Sequence, residues 1–355
     1  MKKISAVICE LNPAHRGHQF IINEAKKRGE YVIAVMSGNF VQRGENAIFD
    51  KYERAEDALN MGVDLVVEIP FPWCSSSAEF FASAGVEIAE SMGTEILVFG
   101  SESGDKEGLM RAGELLKREE FNRPIPPNVR AAEYRERLLY QIDPTLPPFL
   151  LALSNDILGV EYCKNVKKAE PCPIKRISCD SASQIRKAMY DSKLKELNAL
   201  FAQKLFDMEY HKFRTLRNPV LDFAECGGGI GDRLIDCANR STNGDQMLKY
   251  AGTRNFTDSR FRRAALFALL EVKPEEIREH PLFTIVLGFN DRGREILSDM
   301  RRQKSIEVLT KPADGKLLKG KALKQFELAA FADSVYAACA GLPSDHFIKK
   351  SPGIH

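Results

Sequence analysis

The chain has 355 residues, 44% of them hydrophobic and 28% charged, with a formal net charge of +2. That length favours two domains over a single core, and the near-neutral balance excludes a chain that is basic throughout, so any nucleic-acid surface must be a local patch. No apolar run approaches a membrane span. The first one is broken by Glu10 and Asn12, too early for a secretory leader. The eight cysteines show no Cys-x-x-Cys spacing and read as reduced thiols of a cytoplasmic protein.

The first half alternates. ISAVIC (4–9) reads as a strand and 17–28 as a helix; YVIAVMSG (31–38) as a strand and 50–61 as a helix. VDLVVEIP (63–70) and EILVFG (95–100) are the next strands, followed by helices over 77–92 and 105–120. Short, nearly continuous runs rich in Val and Ile are those of buried parallel strands. Their alternation with helices predicts a doubly wound, Rossmann-like α/β sheet with right-handed crossovers. Beyond NRPIPPN (122–128), helices are predicted over 130–141 and 149–167, and CPIKRIS (172–178) returns to the sheet as one more strand. From about 190 onward the pattern is mostly helical and locally basic. The division is therefore an α/β domain over 1–190 and a helical, basic domain over 191–355. CGGGIGD (226–232) lacks the Gly-x-Gly-x-x-Gly spacing of a dinucleotide loop and reads as a turn.

In such a sheet, ligands bind beyond the carboxyl ends of the strands, near the switch in strand order. The first strand ends in Glu10, Asn12, His15 and His18; the second in Ser37, Asn39, Gln42 and Arg43; the fourth in Gly100, Ser101 and Glu102. The late strand leads to Arg176, Ser181, Ser183 and Arg186. Polar groups thus converge on one sheet edge, with Ser37, Asn39, Gln42 and Arg43 as a substrate loop. His15 and His18 stand three apart, so both share one face of a first helical turn. That turn carries open N–H groups and the positive end of the helix dipole. Gly17 lets the backbone come close to a ligand. The combination suits a phosphate chain, because imidazoles donate to phosphate oxygens as charge builds in a transition state. The three-residue spacing without an obvious third ligand argues against zinc, and no other metal ligands are legible.

His15-Arg16-Gly17-His18 resembles the HIGH signature of the nucleotidyltransferase-like α/β superfamily, which binds ATP. VICELNPAHRGHQFII, AVMSGNFVQRGENAI, GVDLVVEIPF, FGSESGD, NDILGVEYCKN and SASQIRKAM follow in order, and together they resemble the bacterial tRNA(Met) cytidine acetate ligase family over about residues 4–190. TRNFTDSRFRR (253–263) and VLGFNDRG (286–293) extend the likeness more weakly. The resemblance implies a ligase that uses ATP, accompanied by Mg2+, to activate acetate as acetyl-adenylate. The acetyl group then passes to N4 of the wobble cytidine of elongator tRNA(Met). It also implies an ATP site built from Ile8, Glu10, Asn12, His15, Gly17, His18 and Ile21, with Gly100, Asn155 and Arg176. SASQIR resembles the superfamily's second signature, in which Ser181 and Ser183 donate and Arg186 clamps phosphate; His15, His18 and Arg186 are the implied catalytic residues. Only ISCD separates Arg176 from Ser181, a shorter link than the family shows.

For RNA, Arg254, Phe256, Arg260 and Arg263 are the candidates, since arginine meets phosphate and aromatics stack unpaired bases. Arg260 and Arg263 share a helix face by spacing, whereas Arg262 does not. A second basic stretch runs from Arg301 to Lys324, with eight Lys/Arg against two acidic residues. Two other functions stay open on the residues. One is a nucleotidyltransferase acting on a different small acceptor. The other is a non-catalytic RNA-binding protein, against which the intact His15, His18, Asn155, Arg176 and Arg186 weigh.

Overall fold

A computed structural model describes residues 2–122, 129, 131–177, 184–185, 193–216, 222–253, 256–300 and 306–355. Ser181, Ser183, Arg186, Arg254 and Arg301 lie outside the described residues.

The N-terminal half is β1 (Ile4–Cys9), α1 (Arg16–Lys26), β2 (Tyr31–Ser37), a small hairpin of β3 (Phe40–Val41) and β4 (Glu45–Asn46), α2 (Lys51–Asn60), β5 (Leu65–Ile69), α3 (Ala78–Ser91), β6 (Ile96–Ser101), α4 (Lys106–Leu115), α5 (Ala131–Ile142), α6 (Ser154–Asn165) and β7 (Glu170–Lys175). Every residue of β1 and β5 is buried, as both-face coverage by helices requires. Local signals set the helix starts. Asp50 and Glu53 close a reciprocal capping box on α2, and Asp105 caps α4. β1 pairs in parallel with β2 on one side and β6 on the other. The chain winds outward through β2 and β5 in one direction and through β6 and β7 in the other. The switch in strand order therefore falls between β1 and β6.

The second half holds α7 (Lys193–Thr215), α8 (Ile230–Arg240), α9 (Gly244–Ala251), α10 (Asp258–Leu269), α11 (Pro274–Arg278), β8 (Phe283–Phe289), α12 (Asp291–Met300), β9 (Glu307–Leu309), α13 (Gly320–Ala340), α14 (His346–Lys349) and β10 (Gly353–Ile354). Gly228 and Gly229, both at positive φ, form the turn before α8. The expectation of a helical stretch after residue 190 misses three strands. β8 pairs antiparallel with β5, and β9 and β10 pair with β8, so one mostly parallel sheet draws on both halves of the chain. A seven-residue apolar run isolated among helices does not declare its period, which is why FTIVLGF escapes a reading by pattern.

Helices α7 to α10 enclose a second, smaller core around Ile230, Leu234, Met247, Phe261 and Ala265. α10 belongs to both cores. Phe261 and Ala264 face the small one, while Leu266 and Phe267 enter the large one, where Phe267 meets Phe71 edge-on at 5.7 Å.

A buried ion cluster ties α13 to the sheet. Lys51 Nζ lies 2.9 Å from both carboxylate oxygens of Glu68 and 2.6 Å from Asp333. Asn39 completes it, donating to Asp333 and accepting the Lys51 backbone N–H. Burial by itself lowers the Lys51 pKa, yet Asp333 and Glu68 hold it above the ordinary value. Among the described residues no helix is long and apolar enough to cross a membrane.

Candidate active site

The exit of β1 is held in place before any ligand arrives. Leu11, fully buried, takes a left-handed φ of 50° and turns the chain out of the sheet. Asn12 Oδ1 accepts the Ile48 N–H at 2.9 Å, and Glu10 Oε1 accepts the Gln42 N–H at 2.9 Å. Arg54, buried beneath, donates to the carbonyls of Glu10, Gly38 and Phe49.

The chain then enters α1 with His15 as its N-cap, in extended conformation. His15 Nδ1 accepts the Gly17 N–H at 3.0 Å, which leaves the proton on Nε2. His18 stacks on His15, ring centroids 3.8 Å apart and 22° from parallel. Burial, followed by the Arg176 charge, lowers the pKa of His15. Burial, His15 and Arg176 together bring that of His18 down to about 3. Both rings are therefore neutral at physiological pH and act as hydrogen-bond donors rather than charges. His18 Nδ1 is buried and has no hydrogen-bond partner among the described residues.

Across the strand-order switch, two carboxylates fix the end of β6 and the start of α6. Asp156 accepts the Ser101 hydroxyl and the backbone N–H groups of Glu102 and Ser103. Glu102 in turn accepts the Asn155 side-chain amide at 2.6 Å and the backbone N–H groups of Asn155 and Asp156. Arg176 Nη1 lies 3.3 Å from the same carboxylate. Burial pushes the Glu102 pKa up, but these hydrogen bonds carry it below the ordinary value. A methyl at Gly100 would stand 3.4 Å from the Arg176 stem and 3.7 Å from Ile21, filling the floor between them.

These groups surround one cavity of about 900 Å³, large enough for a nucleotide. Ile8, Glu10, Asn12, His15, Gly17, His18 and Ile21 line it from β1 and α1. Gly100, Asn155 and Arg176 line it from β6, α6 and the end of β7.

The substrate loop divides. Gln42 and Arg43 line the cavity, but Ser37 and Asn39 do not. Ser37 is buried with its hydroxyl 3.5 Å from the Cys9 carbonyl, and Asn39 serves the Lys51 cluster. Strand alternation and long-range pairing decide which of these four turns outward, and neither is visible in a loop's composition.

The RNA candidates divide as well. Arg260 lies over the Phe256 ring at 4.9 Å and pairs with Glu225 at 3.2 Å, one third exposed. Arg263 pairs with the same Glu225 but is buried, which corrects its expected place on an RNA-facing surface. It faces Glu225 in the loop before α8 and contributes to the cavity lining. In the second basic stretch the described Lys311, Lys316, Lys319, Lys321 and Lys324 are exposed.

Sequence reasoning misses Arg262 and Glu45, which pair with each other at the cavity wall. Helix phase separates Arg262 from Arg260 and Arg263; nothing local says that the β3–β4 hairpin lies opposite.

A family model for the HIGH Nucleotidyl Transferase matches residues 1–347. The tRNA(Met) cytidine acetate ligase of Caldanaerobacter subterraneus subsp. tengcongensis is 32% identical over 377 residues, spanning 93% of this chain and 94% of that protein. The enzyme of the same name from Thermotoga maritima is 32% identical over 85% of each. The crystal structure of Thermotoga maritima TmcAL bound with alpha-thio ATP superposes with a TM-score of 0.88, at 29% identity and 99% coverage of both chains.

Proposed function

The chain belongs to the HIGH nucleotidyl transferase family and, within it, to the tRNA(Met) cytidine acetate ligases, and from that premise we propose that it is an ATP-dependent ligase forming N4-acetylcytidine at the wobble position of elongator tRNA(Met). The observation that carries this reading is the pair of uncharged, stacked imidazoles at the N-terminus of α1, inside the cavity at the switch point.

In the first step a carboxylate oxygen of acetate attacks the α-phosphorus of ATP, and pyrophosphate leaves with the electron pair of the broken P–O bond. The nucleophile comes from the substrate, so the protein's task is orientation and stabilisation of phosphate charge. His15 Nε2–H serves that task from the start of α1, where the Gly17, His18 and Gln19 N–H groups are already taken up by His15 itself. Asn155 and Arg176, held in advance by Glu102, position the nucleotide from the opposite side. In the second step the cytidine amine attacks the acetyl carbonyl and AMP departs. A mixed anhydride is reactive toward water, so a walled cavity protects it. Mg2+ enters with ATP as part of the substrate; among the described residues no three His, Cys, Asp or Glu side chains group so as to hold a metal. Action on tRNA assigns the protein to the cytoplasm.

The test is nucleoside mass spectrometry. The protein is incubated with ATP, Mg2+, acetate and unmodified elongator tRNA(Met), and the RNA is then digested. N4-acetylcytidine that requires both ATP and acetate is the expected result. Cleavage of ATP to AMP and pyrophosphate with some other acid or acceptor, and no acetylcytidine, would replace this reading with a nucleotidyltransferase of different acceptor.

A further inference from the structure

The cavity has a wall that the histidines and Glu102 do not build. There Arg262 of α10 forms an ion pair with Glu45 of the hairpin, its side chain about one third exposed. Arg43, two residues before Glu45, lines the same wall, is exposed and makes no ion pair among the described residues. The Arg43 charge lies near enough to act on Arg262.

Contact fixes this wall in place. Gly44, at the hairpin tip with φ 72°, sits against the backbone of α10; a Cβ there would be 2.6 Å from the Arg263 nitrogen. At its other side the hairpin is tied to the β1 exit through the Gln42 N–H on Glu10. A few residues therefore connect the histidine-bearing turn to α10.

Among the described residues charge compensation is uneven around the cavity. The histidine end offers donors without charge, and Arg176 is already paired with Glu102. A triphosphate is a polyanion, and its two terminal phosphates leave together as pyrophosphate. We propose that Arg262 and Arg43 hold the terminal phosphates of ATP, and the departing pyrophosphate, and that Glu45 occupies Arg262 only until the nucleotide arrives. The inference rests on the reading that this cavity binds ATP. A partly exposed, carboxylate-paired arginine exchanges partners at small cost, and a guanidinium meets phosphate through two parallel N–H donors. When the bond from the α-phosphorus to the bridging oxygen breaks, the electron pair stays on pyrophosphate, beside these two cations. No proton need move.

The experiment is calorimetric binding of ATP, AMP and inorganic pyrophosphate to the full chain and to Arg262→Ala, Arg262→Lys and Glu45→Gln. Arg262→Ala is expected to weaken ATP and pyrophosphate about tenfold or more while AMP stays within about twofold. Arg262→Lys recovers part of the loss, as a point charge without the fork. Glu45→Gln breaks the same ion pair yet binds ATP as well as or better than the unaltered protein, which separates phosphate contact from hairpin anchoring. The inference is overturned if Arg262→Ala binds ATP normally, if it loses AMP in equal proportion, or if Glu45→Gln copies its loss. A variant with normal ATP affinity but raised KM for tRNA also overturns it, and assigns the pair to an RNA phosphate instead. Failure of the unaltered protein to bind either nucleotide would sink the parent reading as well, and is told apart by that control.

Discussion

The two walls of the cavity are made of different kinds of contact. Along the sheet edge, carboxylates take backbone N–H groups: Asp156 those of Glu102 and Ser103, Glu102 those of Asn155 and Asp156, Glu10 that of Gln42. Along α10 the contacts join side chain to side chain, with Glu225 shared between Arg260 and Arg263 and Glu45 taken by Arg262. A main-chain donor belongs to a fixed element, whereas a partly exposed ion pair is worth about 0–1 kcal/mol and swaps partners readily. One wall is set before substrate arrives. The other has contacts that substrate can replace.

Removing the donors of the fixed wall is the strongest way to break this contrast. His15→Ala and His18→Ala are each expected to lower acetate-dependent ATP–pyrophosphate exchange by about 10²–10³-fold. Exchange at the unaltered rate in either variant would mean that the stacked pair is structural. Next comes the shared anchor. Glu102→Ala frees Arg176 and Asn155 and exposes the α6 start, so KM for ATP should rise about tenfold or more, with a stability loss of about 1–3 kcal/mol. Denaturant titration beside the kinetics separates the two losses, and an unchanged KM would refute the anchoring role.

The α10 wall is sharpened by two neighbours with different fates. Arg263→Ala removes a buried, packed side chain, leaves Glu225 with Arg260 alone, and should lower the melting temperature by several degrees. Arg260→Ala should leave melting nearly unchanged. It should weaken tRNA binding by a fewfold and flatten the dependence of that binding on salt, with ATP affinity untouched. Equal effects of the two substitutions would erase the distinction.

The smallest effect is in pH. An unfolded histidine binds its proton near pH 6.5, while folded His18 resists protonation down to about 3. The unfolded state thus gains protons first as pH falls, and stability is lost progressively below about pH 6.5. His18→Gln should remove part of that acid slope in melting temperature. Both histidines are held below their ordinary range in the folded protein, so ATP affinity should change little between about pH 7 and 8.

Legibility followed the same division. β1, β2 and β6 lie within a residue of their expected bounds because buried parallel strands are short, continuous and β-branched. The His-x-Gly-His turn and Arg176 stood out because strand ends meet at the switch point in such a sheet. What stayed hidden depends on partners distant in sequence. Glu102 looked like one polar strand-end residue among several until α6 came to lie on it. Arg263 looked like its exposed neighbour until Glu225 faced it. Asn39 looked like part of a substrate loop until Asp333, 294 residues further along, took its amide.

That last contact bears on how the protein can be divided or recombined. Lys51 lies in the second helix and Asp333 in α13, and they meet beside Glu68 of β5. A chain cut near residue 190 would keep Lys51 and Glu68 but lose Asp333, and would bare the β5 edge that β8 covers. An uncovered strand edge invites pairing between molecules. The nucleotide half is therefore not a portable module. Chimeras that exchange the helical cluster for another RNA-recognition unit should splice around α7 to α10 and carry residues 283–355 with the sheet.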